Sequence, residues 1–224
     1  QKATEDLQEE LSLPMPVRRM ECYDISHIQG TNTVASMVVF EDGKPKTSDY
    51  RRFKIKTHDK NDDFASMREV LHRRFSRMKK AVDARAAGED AKDDAFGIVP
   101  DLVLIDGGKG QLSSALQVML ELGIEGVPLA SLAKQEEEIF IPDSPEPYIL
   151  TRGSQGLFLV QRIRDEAHRF AITFHRNLRS KSARQSALDL VPGIGPKRKR
   201  QLVRQFGSLK GIREASIDDR ERRR

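Results

Sequence analysis

Pro100-Asp101-Leu102-Val103-Leu104-Ile105-Asp106-Gly107-Gly108-Lys109-Gly110-Gln111 is the stretch on which the reading of this 224-residue chain turns. Four consecutive aliphatic residues, Leu102 to Ile105, predict a short strand buried on both faces, as in the middle of a parallel sheet. Asp106 ends that run, and three glycines fall within the next four residues. A helix follows, with Leu112, Leu116, Met119 and Leu120 on its apolar stripe. A carboxylate at the C-terminal edge of a central strand stands where open α/β sheets place their ligands. Three readings fit. Glycines can simply turn the chain while Asp106 bonds nearby amides. A nucleotide-binding loop would need G-x-x-x-x-G-K-[ST] or G-x-G-x-x-G, and neither spacing is present. Metal-dependent phosphodiester chemistry would need further acids or a histidine from elsewhere.

Candidates for those groups lie on both sides. Upstream, Arg18 to His27 predicts a strand with a polar centre. Met20, Cys22, Asp24 and Ser26 share one face by alternation, while Tyr23 and Ile25 take the other. Aspartate is depleted from strand interiors because its side chain competes for backbone bonds. Asp24 therefore requires either a satisfied bond or a cation. The turn Gln29 to Asn32 leads to a second strand, Thr33 to Phe40. Asp42-Gly43 is a hairpin signal, and a third strand is expected from Lys46 to about Ile55. Asn61-Asp62-Asp63 offers N-cap chemistry to a helix carrying Phe64, Met67, Leu71, Phe75 and Met78 at helical spacing. The charged stretch Asp83 to Asp94 reads as a flexible surface loop.

Downstream, Gly126 to Ala133 predicts another buried strand, ending at Lys134. Ile139 to Leu150 reads as a hairpin around Asp143-Ser144-Pro145-Glu146. Gly153 to Gly156 opens a long helix whose buried stripe is Ile163, Ala167, Phe170, Phe174 and Leu178. His168 and His175, two turns apart, share its polar face with Gln161, Arg164 and Arg179.

Composition narrows the function classes. No apolar run approaches the roughly 18 residues of a membrane span, and the first residues do not form a signal peptide. Cys22 is the only cysteine, which excludes an intramolecular disulfide or a cysteine-built zinc site and suits a reducing cytoplasm. Charge is uneven along the chain. From Gln161 onward there are 18 basic against 7 acidic residues, a net of +11, while the remainder carries 21 against 27, a net of −6. An acidic body with a basic tail suits a protein that gathers carboxylates at a metal and holds a polyanion.

The tail has its own signal. Leu190-Val191-Pro192-Gly193-Ile194-Gly195-Pro196-Lys197 lies between two helical patterns. Glycines admit the tight turn, Pro196 suits the first helical turn, and exposed amides at a helix start bind phosphate. This reads as a helix-hairpin-helix that grips DNA backbone without reading sequence.

Three antiparallel strands, helix, strand, helix, strand, helix is the element order of a ribonuclease H-like α/β fold, followed here by the small all-α helix-hairpin-helix segment. In that fold one acid lies on the first strand, another at the end of the fourth, and the third group on the last helix. Asp24, Asp106 and His168 occupy those places. The expected organisation is a remnant of a preceding helix or linker over 1–16, with Leu7 and Leu11 a turn apart and Pro14 and Pro16 stopping it. The nuclease-like domain then covers 17–180, a basic linker 181–187 and the helix-hairpin-helix 188–224.

At these residues the chain resembles the C-terminal half of the UvrC family, the incising subunits of bacterial nucleotide excision repair. The matching segments are Glu21 to Gly30, Asp62 to Met67, Leu104 to Gln111, Ala133-Lys134, Arg162 to Ala171 and Pro192 to Pro196. The resemblance implies an endonuclease V-like, ribonuclease H-type domain that cuts damaged double-stranded DNA on the 5′ side of a lesion. It also implies action on a UvrB–DNA complex through the full-length protein, with no membrane, in the cytoplasm. It carries the family's Asp-Asp-His set onto Asp24, Asp106 and His168, as catalytic groups and ligands of Mg²⁺ or Mn²⁺. It carries a further catalytic acid onto Asp63 and a site lysine onto Lys134. Gly193, Gly195, Lys197 and Arg198, with Arg164 and Lys109, are the candidate DNA contacts.

The family's 3′ cut belongs to a GIY-YIG domain and a cysteine-rich segment not found in this sequence. A second hairpin is expected after Ala215, where Asp218 to Arg224 stand instead, so the single hairpin is expected to hold DNA weakly. Two rivals remain: a DNA-binding scaffold that keeps a nuclease-like fold without cutting, and a nucleotide-binding protein using Gly107 to Gly110.

Overall fold

A computed structural model describes residues 2–28, 32–56, 62–90, 95–133, 138–189 and 191–215; for 28, 32, 174–189 and 209 only the backbone is described. Internal packing divides the chain into two units, Gln1–Ile172 and Thr173–Arg224.

In the first unit, β1 (Arg19–Ile28) pairs antiparallel with β2 (Asn32–Glu41) and parallel with β5 (Leu102–Asp106). β5 in turn runs parallel to β6 (Leu129–Leu132), and β7 (Glu138–Phe140) and β8 (Tyr148–Ile149) extend that side antiparallel. β3 (Lys44–Pro45) and β4 (Arg51–Lys54) both pair with β2. The strand order is β3-β2-β1-β5-β6-β7-β8, with β4 also beside β2. β5 thus lies between two parallel neighbours with all five residues buried, as its unbroken aliphatic run requires.

The helices are α1 (Lys2–Glu10), α2 (Asp63–Ala86), α3 (Lys109–Leu122) and α4 (Gln155–Asp189). α2 lies on the sheet face that carries Glu21 and Tyr23, since Arg74 of α2 reaches Glu21 at 2.7 Å. The first turns of α4 lie on the opposite face, where Arg162 sits over the Phe40 ring and His168 meets Asp24. No helix among the described residues is long and apolar enough to cross a membrane.

Several local expectations are corrected. The segment expected as the remnant of a preceding helix or linker is packed into this unit: Leu7 and Leu11 belong to the core, the Asp6 carboxylate accepts the Gly156 N–H at 2.9 Å, and Glu10 accepts that of Thr151 at 2.7 Å. A Cβ on Gly156 would lie 3.0 Å from the backbone of Leu7, so α1 and α4 touch through a glycine. The hairpin at Asp42-Gly43 forms with φ positive at both residues, as a primed turn demands. The strand expected from Lys46 to Ile55 is broken by a 3-10 turn, Thr47–Asp49. That turn delivers the Asp49 carboxylate to the buried Arg19 guanidinium at 2.7 Å.

The charged stretch after residue 82 is helical through Ala86, favoured by three alanines and the Lys79–Asp83 pair one turn apart; residues 91–94 lie outside the described residues. Gly126 at φ +76 and Pro128 delay β6 to Leu129. On α3, Leu120 is 79% exposed, and Ala115 and Val118 take the core positions instead. Phe64, expected in the α2 stripe, is half exposed and lies against Gly110, whereas Met67, Leu71, Phe75 and Met78 are buried.

The second unit contains the later turns of α4, then α5 (Pro196–Phe206) and α6 (Leu209–Glu214). The basic stretch 181–187, expected as a linker, is helical backbone within α4. No glycine or proline interrupts the chain between Gly156 and Pro192, so nothing in the sequence breaks that helix. Gly193 adopts φ +81 in the turn before α5, Gly195 caps the helix, and Pro196 is its first residue. The side chains of Phe174, His175, Leu178 and Arg179 lie outside the described residues, as do residues 216–224, the stretch expected to lack a second hairpin.

Candidate metal-binding active site

Strand register builds the site. Tyr23 pairs with Ile105 across the parallel β1–β5 ladder, so Asp24 and Asp106, each one residue further, come level on the same face. On α4, His168 is one turn beyond Arg164 and two residues before Phe170, and its ring projects between the two acids. Nδ1 lies 3.0 Å from Asp24 Oδ2, and Nε2 lies 3.1 Å from Asp106 Oδ2. One ligand atom from each residue lies within 4.8 Å of the others, the single such group among the described residues. The acid side chains are 7% and 1% exposed, the histidine 35%. The histidine is therefore the solvent-facing member of the cluster and the two carboxylates its buried members.

The surroundings bear on charge. Burial pushes the Cys22 thiol well above its ordinary pKa; the Asp106 and Asp24 carboxylates add to the effect, and Arg164 opposes it. Arg164 thus contributes positive charge near the acids, although its guanidinium stands 3.4 Å from Asp165. Cys22, buried and held as a thiol, is expected to resist a thiol reagent such as DTNB in the native protein and to react only in denaturant. Equal rates in both conditions would show that β1 opens to solvent.

Beyond His168, Tyr50 donates its hydroxyl to Glu166 Oε1 at 3.0 Å, and Glu166 also accepts a fork of bonds from Arg169 at 2.6 Å. The Arg52 guanidinium stacks on the Phe170 ring 3.8 Å from its centroid. These contacts tie α4 to the sheet edge beside the acids.

Two of the glycines after Asp106, Gly107 in the loop and Gly110 in the first turn of α3, stand in close quarters. Gly107 has φ +155, and a Cβ there would come within 2.5 Å of Gln111 Cγ. A Cβ on Gly110 would come within 2.7 Å of the Phe64 ring. The loop therefore folds closely over the start of α3 and under α2.

The other expected site residues are placed apart from this cluster or beyond description. Asp63 is the first residue of α2, behind the Asp62 cap, and its Oδ1 lies 2.6 Å from His27 Nε2. It is not among the three clustered ligands. His27 falls in the Asp24 strand but on the other face, with Nδ1 3.2 Å from Thr33 Oγ1. Alternation alone marks that placement, yet nothing in the sequence pairs His27 with Asp63. Lys109 donates to the Pro145 carbonyl at 3.0 Å. Lys134 lies outside the described residues. Gly193, Gly195, Lys197 and Arg198 belong to the second unit, where Arg198 donates to the Gly193 carbonyl at 3.3 Å.

A mixed sheet with two acids on adjacent central strands and a third group on the closing helix defines a nuclease domain of the ribonuclease H-like class. Residues 8–172 match the family described as "UvrC RNAse H endonuclease domain", and the chain belongs to that family. Among curated relatives, UvrABC system protein C of Symbiobacterium thermophilum is 52% identical over 227 residues, covering 96% of this chain and 36% of its own length. That of Kocuria rhizophila is 51% identical over 225 residues, covering 96% and 33%. The chain thus spans about a third of the length of the curated relatives it matches. Among solved structures, human ENDOV shares 11% identity with a TM-score of 0.41, covering 72% of this chain and 85% of that one.

Proposed function

We propose that this chain is a divalent-metal-dependent DNA endonuclease domain that makes the 5′ incision beside a lesion in nucleotide excision repair. The observation that carries the reading is the convergence of Asp24, in the middle of β1, Asp106, at the end of β5, and His168 on one spot. Two carboxylates and one imidazole form a donor set rich in hard oxygen, which fits Mg²⁺ or Mn²⁺. A bound ion of that kind supplies Lewis-acid stabilisation of the charge that develops on a phosphodiester under attack by water.

Asp24 and Asp106 would hold the ion. His168, the most exposed of the three, would ligate through a neutral nitrogen or take a proton at that nitrogen. Arg164, one turn earlier, adds positive charge where the DNA backbone would lie. Asp63 and Lys134 are assigned supporting catalytic roles on the sequence resemblance, and Lys109 is read as a DNA contact. In the second unit, Gly193, Gly195, Lys197 and Arg198 are read as a helix-hairpin-helix holding DNA backbone. The substrate is damaged duplex DNA, presented with UvrB to the full-length protein in the cytoplasm.

The test is nicking of a lesion-bearing duplex by the full-length protein, with Mn²⁺ or with EDTA. Metal-dependent cutting on the 5′ side is expected, and equal cutting in EDTA would overturn the reading. A folded protein that binds DNA but never cuts on that side would favour the scaffold. His168→Ala should cost at least the roughly hundredfold of a lost acid–base group or ligand. His175 stands about 10.5 Å further along the helix at 1.5 Å per residue, so His175→Ala should cost far less. The reverse order of effects would remove His168 from the site.

A further inference from the structure

Ser36 stands directly across the β1–β2 ladder from Asp24. It therefore faces the same side of the sheet as the acid cluster. The residue is wholly buried, and its hydroxyl has no hydrogen-bond partner among the described residues. Burying a hydroxyl without a partner carries a desolvation cost, and native structures retain few such groups without reason. Small size alone would be served by alanine, as at Ala130 in the middle of β6. On its other side Ser36 pairs with Arg52 of β4, but that guanidinium is engaged by the Phe170 ring and carbonyl. A guanidinium is also a donor only, so it cannot accept the serine proton.

The arrangement of His168 suggests what the hydroxyl is for. Both ring nitrogens now face carboxylates, Nδ1 on Asp24 and Nε2 on Asp106. A nitrogen that ligates a metal offers its lone pair and cannot donate a proton from that same atom. With its lone pair on a cation, His168 has at most one N–H left and donates to at most one of the two acids. Directly opposed residues of an antiparallel pair have Cβ atoms about 4.5–5.5 Å apart, within reach of a serine hydroxyl and an aspartate oxygen.

We propose that Ser36 is a positioning residue of the metal site, its hydroxyl donating to the Asp24 carboxylate when a divalent cation is held there. One Asp24 oxygen is then fixed by Ser36 and the other is turned toward the cation. The inference rests on the reading of Asp24, Asp106 and His168 as a metal site.

The experiment is calorimetric titration of the 224-residue chain with Mn²⁺ alone, without DNA, beside thermal melting in EDTA. Ser36→Ala should weaken Mn²⁺ binding by about 10- to 100-fold, the usual cost of a lost outer-shell partner, while the metal-free melting temperature does not fall. Ser131→Ala is the control. Its hydroxyl is equally buried and without a hydrogen-bond partner among the described residues, but Ser131 pairs with Ile105 and faces the other side of the sheet. Its Mn²⁺ affinity should match the unsubstituted chain. Ser36→Thr, which keeps the hydroxyl, should restore affinity to near that level.

If Ser36→Ala binds Mn²⁺ as tightly as the unsubstituted chain, the inference is overturned while the metal site stands. If Ser131→Ala weakens binding as much, the effect is a general one of packing and the inference also fails. If the unsubstituted chain takes up no Mn²⁺, the reading beneath it fails. Should Ser36→Ala not fold, Ser36→Cys carries the test, because its thiol is a weaker donor, and unchanged affinity there overturns the inference.

Discussion

Asp106→Asn, and separately Asp24→Asn, each made in the full-length protein, are expected to reduce 5′ strand cutting about a thousandfold or more while leaving the fold intact. The substitution keeps shape and volume and removes one negative charge from a side chain that is almost wholly buried. Lewis-acid stabilisation of a phosphodiester transition state supplies several kcal/mol, and each ~1.36 kcal/mol is tenfold in rate. Loss of one of two anionic ligands is expected to forfeit most of that. Asparagine can still meet His168, so the metal-free melting temperature should stay level. Single-turnover nicking with Mg²⁺, alongside melting with and without Mn²⁺, reads both effects. Stabilisation by Mn²⁺ should disappear together with cutting. A variant that nicks at near the unsubstituted rate takes that aspartate out of the site, whatever its place in the cluster.

Glu21→Ala is expected to cost about 3–5 kcal/mol of stability, the range for breaking a buried ion pair from one side. Glu21 is fully buried on the sheet face opposite the acid cluster. It accepts from Arg74 Nη2 at 2.7 Å, Tyr23 Oη at 2.6 Å and Arg19 Nε at 3.2 Å. Arg74, itself without exposure, also donates to the Phe96 and Ile98 carbonyls at 2.8 Å. Removing the carboxylate leaves two buried guanidinium groups facing each other's charge. For a chain of this size the loss corresponds to a drop of roughly 6–20 °C in melting temperature. Glu21→Leu combined with Arg74→Met should recover part of it, because no lone buried charge remains from that pair. Mn²⁺ affinity, measured well below the melting range, should be unchanged, since the network and the acids lie on opposite faces. A melting temperature within about 2 °C of the unsubstituted chain, under 1 kcal/mol on the same scale, would show that the network contributes little.

Acid should expose the same network. Burial acts to raise the Asp49 carboxyl, but the hydrogen bond and charge of Arg19 outweigh it and hold the carboxyl below its ordinary value. Glu166 is lowered as well, chiefly by its hydrogen bond from Arg169. For such groups the stabilisation is complete above the unfolded pKa, about 3.9 for Asp and 4.3 for Glu. It is lost as pH falls through the lower folded values.

What the linear sequence determined about this protein is mostly local and periodic. The aliphatic run of β5, the alternation that puts Asp24 and Cys22 on one face, the Asp42-Gly43 turn and the Asp62 cap all follow from bonding between near neighbours. Element order then sufficed to set Asp24, Asp106 and His168 at three related places, because a mixed sheet covered by helices admits few connections. Where the reading failed, competing non-local forces were at work. Asp49 is drawn into a turn by Arg19, thirty residues away, and the expected third strand breaks to allow it. Leu120 has the right spacing for the α3 stripe, yet the helix settles with Ala115 and Val118 inward, a rotation that only its neighbours decide. The burial of Glu21 with Arg74 was likewise invisible, since charged residues in a sequence read as solvent-facing until a partner is known.

The tertiary structure alone decided that both nitrogens of His168 meet carboxylates, that Asp63 turns to His27, and that Ser36 faces Asp24 with its hydroxyl unspent among the described residues. Strand register and helix rotation are set by the sum of many weak contacts across the core. Changing the register of β1 by one residue would carry Asp24 and His27 to the opposite faces.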